Sequence, residues 1–176
     1  MVTWEPPGSA LRAEHVAAWA GAGGSLRCRC VSGVRIAPAG CGGSSIGRLR
    51  DRLIDKGYDD ETVAAVVDRL IEVGLVDDES YAQSAVRYCV GRLMGYRGAV
   101  MELARKGVDR PLAERVCDEA RMSGVFEDAA WELGRRSAAK TQGMDPKVRK
   151  RRFWSSGGRK GHDAETLRAI AHELFD

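Results

Sequence analysis

The residues of this chain best placed to do chemistry are basic. Arg48, Arg52 and Lys56 stand at i, i+4 and i+8, which on a helix forms one continuous cationic stripe. From Lys147 to Lys160 there are seven basic side chains and no acid. Arg149, Lys150, Arg151, Arg152, Arg159 and Lys160 belong to that run. Cations grouped in this way bind phosphates or an acidic protein groove. For any single residue a solvated surface position is the simpler reading; for the groups as wholes, contact with a polyanion is favoured. Arg149 to Arg152 are consecutive and spread around a helix, so about two of the four are expected to reach one surface.

Other chemistries find less support. The histidines are His15, His162 and His172, and none has a carboxylate or cysteine at a recognisable motif spacing. The glycines of Gly21–Ser25 follow no strand, so they do not make a nucleotide-binding loop. Asp77 and Asp78 are adjacent, but a helix cap is a commoner role for such a pair than acid–base work. His15, Cys28, Cys30 and Cys41 could in principle ligate zinc, yet their spacing matches neither a knuckle nor a ribbon. Neither catalysis nor a metal or other cofactor is therefore expected. Five cysteines without a framework spacing suit a reducing compartment, and the expected address is the cytoplasm. No apolar run is long enough to span a membrane, and the first residues do not read as a secretory signal.

The elements that would carry these side chains are repeated. Lys56-Gly57-Tyr58-Asp59 returns as Lys106-Gly107-Val108-Asp109 and again as Lys160-Gly161-His162-Asp163. Gly74 has its counterpart in Gly124, Asp78 in Asp128, and Tyr81 in Trp131. Apolar residues follow the helical period: Val63, Val66, Val67, Leu70 and Ile71 in one unit, Leu112, Val116, Cys117 and Ala120 in the next, Leu167, Ile170, Ala171 and Leu174 in the last. A third helix with the stripe Tyr81, Ala85, Val86, Cys89 and Leu93 completes the first unit. The pattern predicts an all-α chain with no strands and a helical repeat of roughly 50 residues.

Each Lys-Gly-x-Asp sequence joins a helix stop to a helix start. Gly57 fits the left-handed position just past a helix, where a Cβ is penalised. Tyr58 can then pack back on Leu53, Lys56 faces the negative end of the helix dipole, and Asp59 caps the next helix. The same reading applies to Gly107 and Asp109, with Pro111 in the first turn, and Gly74 and Gly161 are further stops. In the last unit Asp145-Pro146 is a good helix start, but Gly157 and Gly158 replace the leucine–isoleucine pair of the first unit. Two interior glycines cost about 1 kcal/mol each relative to alanine, so that helix is expected to be short or frayed.

Residues 1–45 differ in composition. Up to Ile46 there are no lysines and two acids, with eight glycines and three of the five cysteines. This predicts a poorly ordered leader in which only Ser9–Ala20 could form a helix; a segment that is not a native reading of the gene would show the same break. The expected organisation is the leader at 1–45, a three-helix unit at 46–95, a second at 96–143 and an incomplete third at 144–176.

The order of these motifs resembles one family. "RLRDRLIDKGYDDETVAAVVDRLIEVGLVDDESYAQSAVR" followed by "ELARKGVDRPLAERV" is similar to the RecX family of bacterial regulators of RecA recombinase, over about residues 45–176. The resemblance implies an elongated, curved array of tandem three-helix units. It also implies a monomer that binds the RecA filament on DNA and restrains its ATPase, strand-exchange and coprotease functions. The chain departs from the family in the lead-in, where only Ser44 and Ser45 remain and Arg48 replaces an acid, and at Gly157-Gly158. A helical regulator that acts directly on nucleic acid is the alternative, supported by the basic runs.

Overall fold

The computed structural model describes residues 44–175, together with the backbone of two short strands, β1 (Arg29–Val31) and β2 (Val34–Ile36). Eight helices occupy the described residues: α1 (Ile46–Ile54), α2 (Asp60–Glu72), α3 (Asp78–Gly91), α4 (Tyr96–Arg105), α5 (Arg110–Met122), α6 (Val125–Lys140), α7 (Pro146–Lys160) and α8 (Ala164–Phe175). The fold is all-α in its packed body, as the periodicity predicts. The exception is β1 and β2, which pair antiparallel with Val31 opposite Val34. Their signal is legible in retrospect: β-branched residues flank Ser32-Gly33, a hairpin spacing that contains glycine. The Ser9 helix and the side chains of His15, Cys28, Cys30 and Cys41 lie outside the described residues.

The helix stops fall where the glycines place them. Gly57, Gly74, Gly107 and Gly161 all have positive φ, between 66° and 87°. At each, the backbone closes a Schellman motif; at the first, Tyr58 N–H donates to Leu53 C=O at 3.3 Å and Gly57 N–H to Ile54 C=O at 2.8 Å. The last repeats this with His162 N–H on Gly157 C=O at 3.1 Å, although its leucine is gone. Leu93 fills the same slot after α3 with φ 56°, a left-handed conformation in a residue that rarely adopts it. It therefore ends α3 instead of continuing its inner stripe.

Asp59 caps α2 by accepting from Thr62 N–H at 2.9 Å, and Asp77 caps α3 by accepting from Glu79 and Ser80. Asp145 and Asp163 cap α7 and α8 in the same way. Asp109 holds the cap position before α5 but makes no side-chain capping bond, contrary to the expectation. Pro111 follows it and has no N–H, which removes one of the two amides such a carboxylate normally accepts from.

Three apolar clusters hold the array. The first joins Leu49 and Leu53 of α1 with Val63, Val67 and Leu70 of α2 and Val76. The second unites α3, α4 and α5 around Cys89, Leu103 and Cys117, all fully buried. The third unites α6, α7 and α8 around Phe153, Leu167 and Ile170. Cys89 and Cys117 are thus core residues, and burial pushes the Cys117 thiol up to about 12. Tyr81 and Trp131 are half-buried against the second and third clusters. Ile71 departs from its expected stripe and is exposed.

The helix that carries Gly157 and Gly158 is neither short nor frayed. Helix α7 runs unbroken through Gly157 and Gly158 to Lys160, and is longer than α1 or α4. Gly157 is buried, and a Cβ there would lie 2.4 Å from Leu167 Cδ2. Its small size therefore lets α7 and α8 cross closely, which offsets the propensity cost. Nothing in the structure explains Gly158.

Candidate interaction surfaces

The N-terminal ends of α1 and α4 seat on the Lys-Gly turns that close α4 and α7, respectively. Between the first two units, the Ser45 hydroxyl donates to Lys106 C=O and also accepts from Arg48 N–H at 3.3 Å. Gly47 lies so close that an added Cβ would be 2.4 Å from Gly107 O. At the next joint Gly95 N–H donates to Lys160 C=O at 2.9 Å, and Arg97 N–H to Gly161 C=O at 3.2 Å. The unpaired amides at the start of α4 thus meet the unpaired carbonyls at the end of α7, dipole end to opposite dipole end. The second and third Lys-Gly-x-Asp turns therefore serve as seats as well as helix stops. The seat is the part that sequence reasoning missed, although Gly47, Gly95 and Gly98 were available as its signal.

This joint fixes where the cations stand. Arg48 and Arg52 are exposed on α1, while Lys56 lies past the end of that helix in its turn, also exposed. Arg48 sits at the joint, its Cγ 3.3 Å from the position a Gly107 Cβ would take. The C-terminal run divides. Arg149 turns inward, its guanidinium 5.4 Å from the Phe175 ring centroid and its Nε 3.4 Å from Thr141 Oγ1. Arg152 reaches Met144 Sδ at 3.2 Å. Lys150 is half-buried, whereas Arg151 and Arg159 are exposed.

Lys160 also has an internal partner: its ammonium donates to Arg92 C=O, closing the C-terminal end of α3. Burial pushes the Lys160 pKa down, and the nearby charges of Arg92 and Arg136 push it the same way. His162 beside it is 7% exposed, its Nε2 3.0 Å from Leu93 C=O. Burial lowers its pKa as well, which favours the neutral imidazole.

The same joint gathers residues that the sequence did not single out. Arg92 donates to Tyr88 Oη at 2.8 Å, with its guanidinium 5.6 Å from the ring centroid. Lys106 lies over the same ring, also at 5.6 Å. Tyr88 is nonetheless 52% exposed. Glu102 pairs with Arg105 at 2.7 Å and Lys106 at 3.9 Å, and Glu132 pairs with Arg135 and Arg136. No cluster of metal-ligating side chains occurs among the described residues, and none of the described helices is long and apolar enough to cross a membrane.

No family model matches the chain. It is 36% identical over 131 residues to a regulatory protein RecX of Thermobifida fusca, covering 72% of this chain and 69% of that one. A regulatory protein RecX of Mycobacterium sp. (strain JLS) is 50% identical over 64 residues, about a third of each chain. Among solved structures, the crystal structure of RecX from Lactobacillus salivarius superposes with a TM-score of 0.65 at 20% identity, covering 74% of this chain and 85% of that one, which shows the shared fold.

Proposed function

The chain belongs to the RecX family of regulatory proteins, and on that premise we propose that it binds the RecA recombinase filament and modulates it, mainly as an inhibitor of its ATPase, strand-exchange and coprotease activities. The reading assigns no catalytic step to the chain and places it in the cytoplasm as a monomer.

The observation that carries the proposal is the pair of like joints, Ser45 on Lys106 and Gly95 on Lys160. Helix-end seats of this kind repeat a unit in register along the chain. A surface that repeats at regular intervals fits a partner that also repeats, and a protein filament is such a partner. The exposed Arg48, Arg52, Arg151 and Arg159 supply positive charge along that scaffold.

The test is co-sedimentation with RecA filaments assembled on single-stranded DNA, compared with the bare DNA. Much tighter retention by the filament supports the proposal. Equal retention by filament and bare strand would select direct action on nucleic acid instead.

A further inference from the structure

We propose that the partly exposed surface formed by Tyr88, Arg92 and Lys106, extended by Arg136 and Lys160, is a binding site for single-stranded nucleic acid. The inference stands on the geometry of this patch and does not depend on the filament reading.

Three observations lead to it. First, the patch is continuous across elements that are far apart in sequence. Lys106 and Arg92 both lie 5.6 Å from the Tyr88 ring centroid, and Lys160 is tied to the Arg92 carbonyl. Arg136 is near enough for its charge to act on Lys160. Second, positive charge is in excess. The carboxylates that pair with these cations, Glu102 and Glu132, are each shared with a second cation, Arg105 and Arg135 respectively. Lys160 has a carbonyl as its partner and two guanidinium groups as electrostatic neighbours, an arrangement that an incoming anion would relieve. Third, an aromatic ring lies among the cations, about half of its residue surface open to solvent.

The third observation chooses between anions. An acidic peptide would use the cations and leave the ring without a function. A nucleotide strand presents a phosphate and a base face at each step, and both are matched by cations beside an exposed aromatic ring. A duplex keeps its bases stacked inside and offers the ring nothing comparable. Tyr88, Arg92 and Lys106 are thus assigned to the phosphates and base of a single strand.

The test uses the full chain and a fluorescent oligothymidylate, followed by anisotropy over a range of salt. In the double variant Arg92→Gln, Lys106→Gln the log–log salt slope should flatten by about 1.4 units, roughly 0.7 for each phosphate no longer neutralised. Tyr88→Leu should weaken binding about tenfold with the slope unchanged, since it removes a stack and no charge. The charge-matched control Arg69→Gln, Arg110→Gln, whose ion pairs with Glu72 and Glu114 stay within their own helices, should leave the wild-type slope. Far-ultraviolet circular dichroism confirms that each variant keeps its helices. A double variant no different from the control would overturn the inference. So would a Tyr88→Leu affinity equal to wild type, or polyglutamate competing as well as the oligonucleotide at equal charge. The two proposals fail separately. A chain that binds filaments but no bare strand contradicts this one alone, and strand binding with no effect on filaments contradicts only the other.

Discussion

The Ser45 hydroxyl serves two units at once: it accepts from Arg48 N–H to cap α1 and donates to Lys106 C=O at the turn of the next unit. Ser45 is fully buried, so neither bond can be replaced by water without opening the joint. Ser45→Ala should lose a cap worth about 1 kcal/mol and leave the part-buried Lys106 carbonyl without this donor, at a cost of up to about 1–3 kcal/mol. A urea unfolding midpoint within error of wild type would show that the joint does not depend on this hydroxyl.

Gly57 and Gly107 separate the two roles of the repeated turn. Both have positive φ, but a Cβ at Gly57 meets nothing within 4 Å, whereas at Gly107 it would lie 2.8 Å from Arg48 N and 2.9 Å from Ser45 Oγ. Gly57→Ala should therefore cost only the left-handed strain of about 1–2 kcal/mol. Gly107→Ala should cost that and a further 1–3 kcal/mol, roughly, for forcing the joint apart. Equal losses in chemical denaturation would mean that the joint tolerates the added carbon.

Adjacent glycines in α7 should respond with opposite signs. Gly157→Ala places a Cβ against buried Leu167 and is expected to destabilise by about 1–3 kcal/mol. Gly158 is exposed with open space around it, so Gly158→Ala should stabilise by up to about 1 kcal/mol through helix propensity. Thermal unfolding of the two variants reads both, and a gain for Gly157→Ala would contradict the close crossing of α7 on α8.

What the sequence revealed and what it hid follow from the range of the interactions. Gly57, Gly74, Gly107 and Gly161 and the Asp59, Asp77, Asp145 and Asp163 caps were legible because each is satisfied within a few residues of itself. Gly157 looked like a flaw because propensity is local, while its reason, Leu167, stands on the next helix. Lys160 and Arg149 read as surface cations, yet their partners are Arg92 C=O and the Phe175 ring. The patch at Tyr88, Arg92 and Lys106 is assembled by the packing of α3 against α4, and no periodicity within one helix announces it. The strands β1 and β2 were missed because the glycines of the leader dominated its composition.

Asp77 and Asp78 should oppose each other as pH changes. Hydrogen bonds from Ser80, side chain and backbone, hold the Asp77 carboxyl below its ordinary value. Its stabilisation is present above the unfolded pKa and is lost as pH falls through the folded one. Asp78 accepts Ile46 N–H at 2.8 Å from a half-buried site, and burial raises its pKa. Its ionisation works against the fold, and that cost disappears as acid protonates it. Asp77→Asn should therefore destabilise at neutral pH and converge on wild type only as acid protonates the folded-state carboxyl, below the ordinary carboxylate range. Asp78→Asn can keep the bond from Ile46 without a buried charge, so it should match or exceed wild-type stability at neutral pH and lose that advantage in acid. Parallel pH profiles for the two variants would refute the division of labour.

The central claim, that this helical array restrains a recombinase filament, is tested most directly by the DNA-dependent ATPase of RecA. Filaments are formed on single-stranded DNA with ATP, the full chain is titrated in, and phosphate release is followed at each concentration. The account predicts a saturable fall in hydrolysis rate over the same range in which the chain co-sediments with filaments. A rate that stays constant while co-sedimentation saturates would contradict it, because the chain would then occupy the filament without regulating it.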